Sequence, residues 1–342
     1  MLTREFDYDL PPELIAQEPI EPRDASRLLV LHRDTGRLEH RRFSDVLEYL
    51  RPGDLLVVNE TRVIPARLYA HKVPTGGKVE LLLLAKRGTR RWESLVKGRK
   101  VAVGQRLEIG GGEGGRVQGT VEAITESGGR LICFDAPIEP YLARLGVVPL
   151  PPYIHRPLED PERYQTVYSR IEGSVAAPTA GLHFTPALIE RAEEMGVEWA
   201  HVLLHIGLDT FRPVTEEVVE EHQIHTEYCR LSEATAGQIN RAQEEGRRVI
   251  AVGTTAVRVL ETAARGVEAG VDPWEGATDL FIYPGYRFQV VDAMLTNFHL
   301  PRSSLLMLVS AFAGTERIRR AYEEAVARRY RFYSFGDGML IL

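Results

Sequence analysis

The feature that most constrains this chain is a change of texture between residues 62 and 148. Six short strand-like runs (62–71, 78–86, 91–96, 105–109, 116–124 and 129–134) succeed one another there, separated by Gly-rich turns. A chain that reverses this often makes antiparallel hairpins, and six of them suggest a small closed barrel or sandwich. On either side, short apolar strands alternate with amphipathic helical stretches, the pattern of a layered sheet with helices on its faces. With 342 residues there is room for both. The expected fold class is therefore α/β: a layered main domain with a mixed sheet and helices on both faces, carrying an inserted small antiparallel β-barrel. The expected division is residues 1–61 with 149–342 for the discontinuous α/β domain, and 62–148 for the insert.

Charge is segregated in the same way. The whole chain has a net charge of −6. Residues 62–148 hold 15 Lys and Arg against 8 Asp and Glu, while the remainder holds 27 against 40. All five lysines, Lys72, Lys78, Lys86, Lys97 and Lys100, lie in the insert. Such a split either marks a polyanion-binding surface or reflects a different surface composition in an inserted domain. The two cysteines, Cys133 and Cys229, have no CxxC spacing, which fits a reducing cytosol. The polar N-terminal residues do not read as a signal peptide, and no run approaches the ~20 apolar residues of a membrane span, so a cytoplasmic protein without a membrane partner is expected.

Outside the insert, several helix boundaries are explicit. Thr185-Pro186 starts a helix that Gly196 stops, Ser232 caps one that Gly246 closes, and Ser303 opens a buried helix. Thr315 is expected to cap an amphipathic helix, and Ser44 a short one ending at Pro52-Gly53. Strands are expected at 54–59, 197–206, 249–253, 279–283 and 330–335.

Some motifs fail on context. Gly110 to Gly115 satisfies G-x-G-x-x-G, but residues 116–124 read as a strand where a dinucleotide fingerprint must open a helix. His222, His225 and Cys229 have metal-compatible spacing without a second ligand pair, so polar contacts or core hydrogen bonds are the favoured reading and no metal site is expected. Others are open. Val249-Ile-Ala-Val-Gly253-Thr-Thr255 is an apolar strand entering a helix, which offers free N–H groups and two hydroxyls to a carboxylate or phosphate, or is a plain cap. Arg258 lies one turn further on. His183, His205 and His299 each sit among apolar residues beside Gly or Pro, either as satisfied core histidines or as parts of one site. Tyr283-Pro-Gly-Tyr286 is a rigid aromatic turn, suited to stacking a base, facing a cation, or packing in the core.

At these residues the chain resembles the S-adenosylmethionine:tRNA ribosyltransferase-isomerases of queuosine biosynthesis. The likeness runs nearly end to end. It includes Gly53-Asp-Leu-Leu-Val-Val-Asn59-Glu-Thr-Arg62, Ala176-Ala-Pro-Thr-Ala-Gly-Leu-His183-Phe, His205-Ile-Gly-Leu-Asp-Thr-Phe211, Gly253-Thr-Thr-Ala-Val-Arg258, Asp279-Leu-Phe-Ile-Tyr-Pro-Gly-Tyr286 and Thr296-Asn-Phe-His-Leu-Pro301. Two positions depart from the family pattern: Asp209 stands where Gly is usual and Ala256 where Ser is usual. The resemblance implies a β-barrel inserted in an α/β domain. It also implies a ribosyl transfer from S-adenosylmethionine to 7-aminomethyl-7-deazaguanine at the tRNA wobble position, giving epoxyqueuosine, adenine and methionine. S-adenosylmethionine is then a co-substrate, no cofactor is expected, and family precedent points to a monomer.

The chemistry so implied needs a base for the ribose C5′ hydrogens that the sulfonium acidifies, donors for the leaving adenine, and a dry pocket. His183, His205 and His299 are the expected acid/base and orienting residues. Thr254, Thr255 and Arg258 are expected at the methionine carboxylate, and Tyr283 and Tyr286 against the adenine or the sulfonium. The basic run Lys86, Arg87, Arg90, Arg91, Lys97, Arg99 and Lys100 is expected to hold tRNA phosphates. Two rival readings remain: an S-adenosylmethionine-dependent RNA methyltransferase, and a non-enzymatic RNA-binding module.

Overall fold

The structure is a computed structural model, and it describes residues 1–111, 115–125, 128–207 and 213–342. The chain divides into two compact units. The first comprises Met1–Arg62, Pro152–Ile171 and Ala177–Leu342, and the second Val63–Pro151 with a short return, Glu172–Ala176. Neither charge nor texture changes at that return, so nothing in the sequence announces it.

The first unit is built on a nine-stranded sheet. Its strands in chain order are β1 (Arg27–Leu31), β2 (Leu38–Arg42) and β3 (Leu55–Asn59), then, beyond the second unit's six strands, β10 (Glu198–Leu204), β11 (Glu227–Leu231), β12 (Val249–Val252), β13 (Trp274–Thr278), β14 (Ala293–Asn297) and β15 (Gly338–Ile341). The spatial order is β13-β11-β10-β3-β12-β14-β15-β1-β2. The four central strands, β10, β3, β12 and β14, are mutually parallel, and the flanking pairs β10–β11, β11–β13, β14–β15 and β1–β2 are antiparallel. Strands covered on both faces read as unbroken apolar runs, and Leu55-Leu-Val-Val58 and Val249-Ile-Ala-Val252 are such runs, every side chain nearly inaccessible. One face packs Leu56, Val58, Ile250 and Val252 against Leu188 and Ala192 of α2 (Pro186–Glu194). Each large apolar side chain buried in this way is worth roughly 1.5–3 kcal/mol.

The remaining helices of this unit are α3 (Glu233–Glu244), α4 (Thr254–Ala263), α5 (Ser304–Ala313) and α6 (Thr315–Ala327). The expected caps are present: Leu188 N–H donates to Thr185 Oγ1 at 3.1 Å, Thr235 N–H to Ser232 Oγ at 3.2 Å and Leu306 N–H to Ser303 Oγ at 3.1 Å. The α6 cap is Gly314, at φ 92, rather than Thr315, and the segment after Arg42 is a 3₁₀ helix, Phe43–Tyr49, in which Asp45, not Ser44, takes the Arg42 N–H.

Two expected strands are not strands. Residues 279–283 and 330–335 are irregular, and the strands lie beside them at β13 and β15. In both places buried side chains replace a ladder partner. Arg258 Nε donates to the Leu280 carbonyl at 3.2 Å, and further along the chain, past the first segment, the Glu261 carboxylate accepts from the Gln289, Val290 and Val291 N–H groups at 2.9–3.3 Å. Asp337 accepts from the Arg27 and Arg331 N–H groups at 2.9 and 2.8 Å. These partners are distant in sequence, so the apolar pattern alone mimics a strand.

The second unit is a closed antiparallel barrel of six strands: β4 (Arg67–Val73), β5 (Lys78–Gly88), β6 (Arg91–Lys97), β7 (Arg106–Gly110), β8 (Arg116–Ile124) and β9 (Arg130–Phe134). The order β4-β5-β6-β9-β8-β7 is closed by pairing β7 back onto β4, Ala70 opposite Ile109, which leaves the barrel no open edge. Alternate residues fill the interior. At Gly119 a Cβ would come 2.9 Å from Ile132 Cγ2, so the small residue there makes room for its large neighbours. The glycine string sits on a hairpin, Gly110 opposite Arg116, with 112–114 outside the described residues. A helix that the sequence does not announce, α1 (Glu139–Leu145), comes after the barrel strands.

Candidate active site

In open α/β sheets, ligands bind beyond the carboxyl ends of the parallel strands. A cavity of about 60 Å³ lies there in the first unit, at the ends of β12 and β14 and the start of α5. Its walls include Thr254, Thr255, Thr296, Asn297 and His299. Gly253 makes the turn from β12 into α4 with φ 89, a left-handed conformation that favours glycine, while its N–H stays bonded to the Leu295 carbonyl at 2.7 Å. Among the described residues helix α4 begins without a side-chain cap, and the buried Thr255 hydroxyl has no hydrogen-bond partner. Uncapped N–H groups beside an unused hydroxyl make a site for a carboxylate or phosphate.

The opposite wall is a polar network. His299 Nε2 is 2.7 Å from Thr296 Oγ1, and Nδ1 has no partner among the described residues. Its backbone is pinned at both ends, the carbonyl accepting from Tyr8 OH and the N–H donating to Tyr322 OH. His183 has both ring nitrogens engaged: Nδ1 with Ser26 Oγ at 2.7 Å and Nε2 with Asn297 Nδ2 at 3.3 Å. The His183 ring also stacks on Phe43, centroids 4.7 Å apart. Burial pushes both His183 and His299 down to about 3, and His205 to about 4, so all three are neutral imidazoles near pH 7.

A larger cleft, about 770 Å³, lies at the other end of β12 and α5, where Arg248 and Ala313 are found. None of the motif residues line it, and Arg248 is already bound to Asp54. The smaller cavity is the better candidate because chemistry-bearing side chains and unused polar atoms converge there.

The family model described as "Queuosine biosynthesis protein" matches residues 3–341. The chain belongs to this family. It is 58% identical over 346 residues to the S-adenosylmethionine:tRNA ribosyltransferase-isomerase of Moorella thermoacetica, and 58% identical over 345 residues to that of Symbiobacterium thermophilum, with all of each chain covered. The crystal structure of S-adenosylmethionine tRNA ribosyltransferase from Thermotoga maritima is 45% identical, covers 99% of this chain and 100% of its own, and superposes with a TM-score of 0.57.

Not every expected site residue of this queuosine biosynthesis protein lies at the cavity. Thr254, Thr255 and His299 line it, and His183 reaches it through Asn297. His205 lies just past β10, with Nδ1 2.8 Å from Thr61 Oγ1 and its ring stacked on Tyr228. Only its neighbour Ile206 lines the cavity. Arg258 is turned away: its guanidinium is buried against Glu227 and the Leu280 and Thr278 carbonyls, and Glu227 in turn accepts the Gly207 N–H at 2.8 Å. Tyr286 donates to Glu261 at 3.1 Å and Tyr283 packs on Phe281, so neither ring lines the cavity. The aromatic rings that do are Phe298, Tyr153 and Tyr333, the two tyrosines with centroids 4.8 Å apart. Asp209 lies outside the described residues, and Ala256 is wholly buried in α4. His222 Nδ1 turns to Glu216 at 2.9 Å, and burial raises the Cys229 thiol to about 11.

The basic run divides between the two ends of β6. At the hairpin end, Lys86 pairs with Glu139, Arg87 with Glu93 and Arg91 with Glu122, while Arg90 reaches only the Asp135 carbonyl. At the far end, roughly 20 Å along an extended strand, Lys97, Arg99 and Lys100 are exposed beside Lys72 and Lys78, and none of the five forms an ion pair among the described residues.

Proposed function

We propose that this chain transfers and isomerises the ribosyl moiety of S-adenosylmethionine onto 7-aminomethyl-7-deazaguanine at the wobble position of tRNA, releasing adenine and methionine. End-to-end identity to relatives bearing the ribosyltransferase-isomerase name supports the reaction class. The observation that carries the site assignment is the Thr255 hydroxyl, without a partner among the described residues, at the uncapped start of α4 in the same cavity as His299.

In this reading Thr254 and Thr255, with the first N–H groups of α4, hold the methionine carboxylate. His299 is the best placed base, since one ring nitrogen has no partner, whereas both nitrogens of His183 are occupied. Desolvation alone depresses His299, so a carboxylate entering the same cavity raises its basicity towards the working range. Proton removal from C5′ breaks the C4′–O4′ bond, and the alkoxide left on C1′ expels adenine, which takes up a proton as C1′ becomes an aldehyde. The deazaguanine amine then adds to C4′, C5′ closes onto C1′ to form the cyclopentane, and the C1′ oxygen displaces methionine from C5′ to give the epoxide. Arg258 acts by holding Glu227, which fixes the backbone at Gly207, and Tyr153 and Tyr333 replace Tyr283 and Tyr286 as the rings beside the donor.

Lys97, Arg99 and Lys100, joined by Lys72 and Lys78, grip tRNA phosphates. The enzyme works as a cytoplasmic monomer without a cofactor. Among the described residues no helix is long and apolar enough to cross a membrane. The reaction is tested by label transfer: S-adenosylmethionine labelled in the ribose leaves its label in the tRNA, whereas a methyl label stays with methionine. Methyl label in the tRNA would instead establish a methyltransferase.

A further inference from the structure

Asn297 ends β14 among the cavity residues and is nearly inaccessible. Its amide orientation is fixed by its partners. Nδ2 donates to the Tyr333 carbonyl at 3.1 Å, and a carbonyl can only accept, so the nitrogen must face that way. The same nitrogen lies 3.3 Å from His183 Nε2, which makes Nε2 the acceptor and places the imidazole proton on Nδ1, towards Ser26 Oγ at 2.7 Å. Two of the three contacts along this chain are therefore directional, and together they leave Asn297 Oδ1 over. That oxygen is buried and has no hydrogen-bond partner among the described residues.

A buried, unpartnered amide oxygen costs on the order of 1–3 kcal/mol, and His183 and Ser26 hold the amide in the orientation that incurs it. The same cavity contains a second unsatisfied polar atom of complementary kind, the Thr255 hydroxyl beside the uncapped end of α4. One atom accepts and the other, with the helix N–H groups, donates. An α-amino acid presents the matching pair, an ammonium that only donates and a carboxylate that only accepts. We propose that Asn297 Oδ1 receives the ammonium of the donor's methionine moiety, and that His183 and Ser26 are positioning residues that aim it. This rests on the reading of the cavity as the S-adenosylmethionine site. It gives a role to the histidine that has no nitrogen left to act as a base.

The test compares binding of S-adenosylmethionine with that of its analogue in which hydrogen replaces the α-amino group, by calorimetry on the full chain without tRNA. Wild type is expected to bind the natural donor about tenfold or more tighter, the discrimination a charge-assisted hydrogen bond supplies. In Asn297→Ala the preference should fall to about twofold or less, because both ligands then lack the contact. An unchanged preference in that variant overturns the proposal and leaves a trapped water as the partner of Oδ1. Should Asn297→Ala fold poorly, Asn297→Leu keeps the volume without a polar atom. Its preference should also fall to about twofold or less, and a preference equal to wild type there also overturns the proposal. Wild type that binds neither ligand would instead remove the donor-site reading itself.

Discussion

Thr255 is the residue on which the donor-site assignment turns. Its hydroxyl has no partner among the described residues, so its removal should cost the fold little and the ligand much. Thr255→Val keeps the shape and removes the oxygen; the KM for S-adenosylmethionine is expected to rise about tenfold, the worth of a hydrogen bond to a charged group, with the KM for tRNA unchanged. Steady-state kinetics in both substrates checks this, and equal KM values would place the carboxylate elsewhere. The histidines make a second prediction through stability. Burial holds His183 and His299 near 3 and His205 near 4, against about 6.5 in an unfolded chain. The unfolded state therefore binds protons first as pH falls. The stability their neutral forms contribute is complete above about 6.5 and declines towards pH 3, by about 1.4 kcal/mol per pH unit for each imidazole. Urea midpoints between pH 7 and 5 should fall, and His183→Gln should fall less steeply than wild type. At this scale the sequence exposes Thr254, Thr255, His183 and His299, because Gly or Pro beside a polar residue in an apolar run is visible locally. It hides the Arg258–Glu227 pair, 31 positions apart, and the fixed amide of Asn297, whose partners His183 and Tyr333 come from two distant segments.

Among the elements, hairpins and capped helices are the legible ones. The six barrel strands and the caps at Thr185, Ser232 and Ser303 stand where local pattern places them, since turns and caps are local chemistry. Residues 279–283 and 330–335 carry strand-like composition but are tied down by Arg258 and Asp337, which no period of two reveals. Strand β6 shows a further limit: one basic run in sequence becomes two surfaces at opposite ends of an extended element. The account expects these ends to differ. Replacing Lys72, Lys78, Lys97 and Lys100 by Gln should weaken tRNA binding and lower the slope of log K against log salt by up to about 3–4. Replacing Lys86, Arg87 and Arg91, which already face Glu139, Glu93 and Glu122, should change that slope by less than about 1. Filter binding across salt concentrations separates the two, and a steeper loss at the hairpin end would reverse the assignment.

For the whole molecule, the net charge of −6 conceals the division of labour. The basic barrel supplies unpaired cations, and the acidic α/β unit supplies the buried cavity with its neutral imidazoles and unused polar atoms. The family match covers residues 3–341 and so spans both units. The most direct measurement is the identity of the small molecules released when the enzyme is incubated with S-adenosylmethionine and tRNA carrying 7-aminomethyl-7-deazaguanine. The account predicts adenine and methionine in equal amounts, matching the tRNA modified; S-adenosylhomocysteine in their place would contradict it.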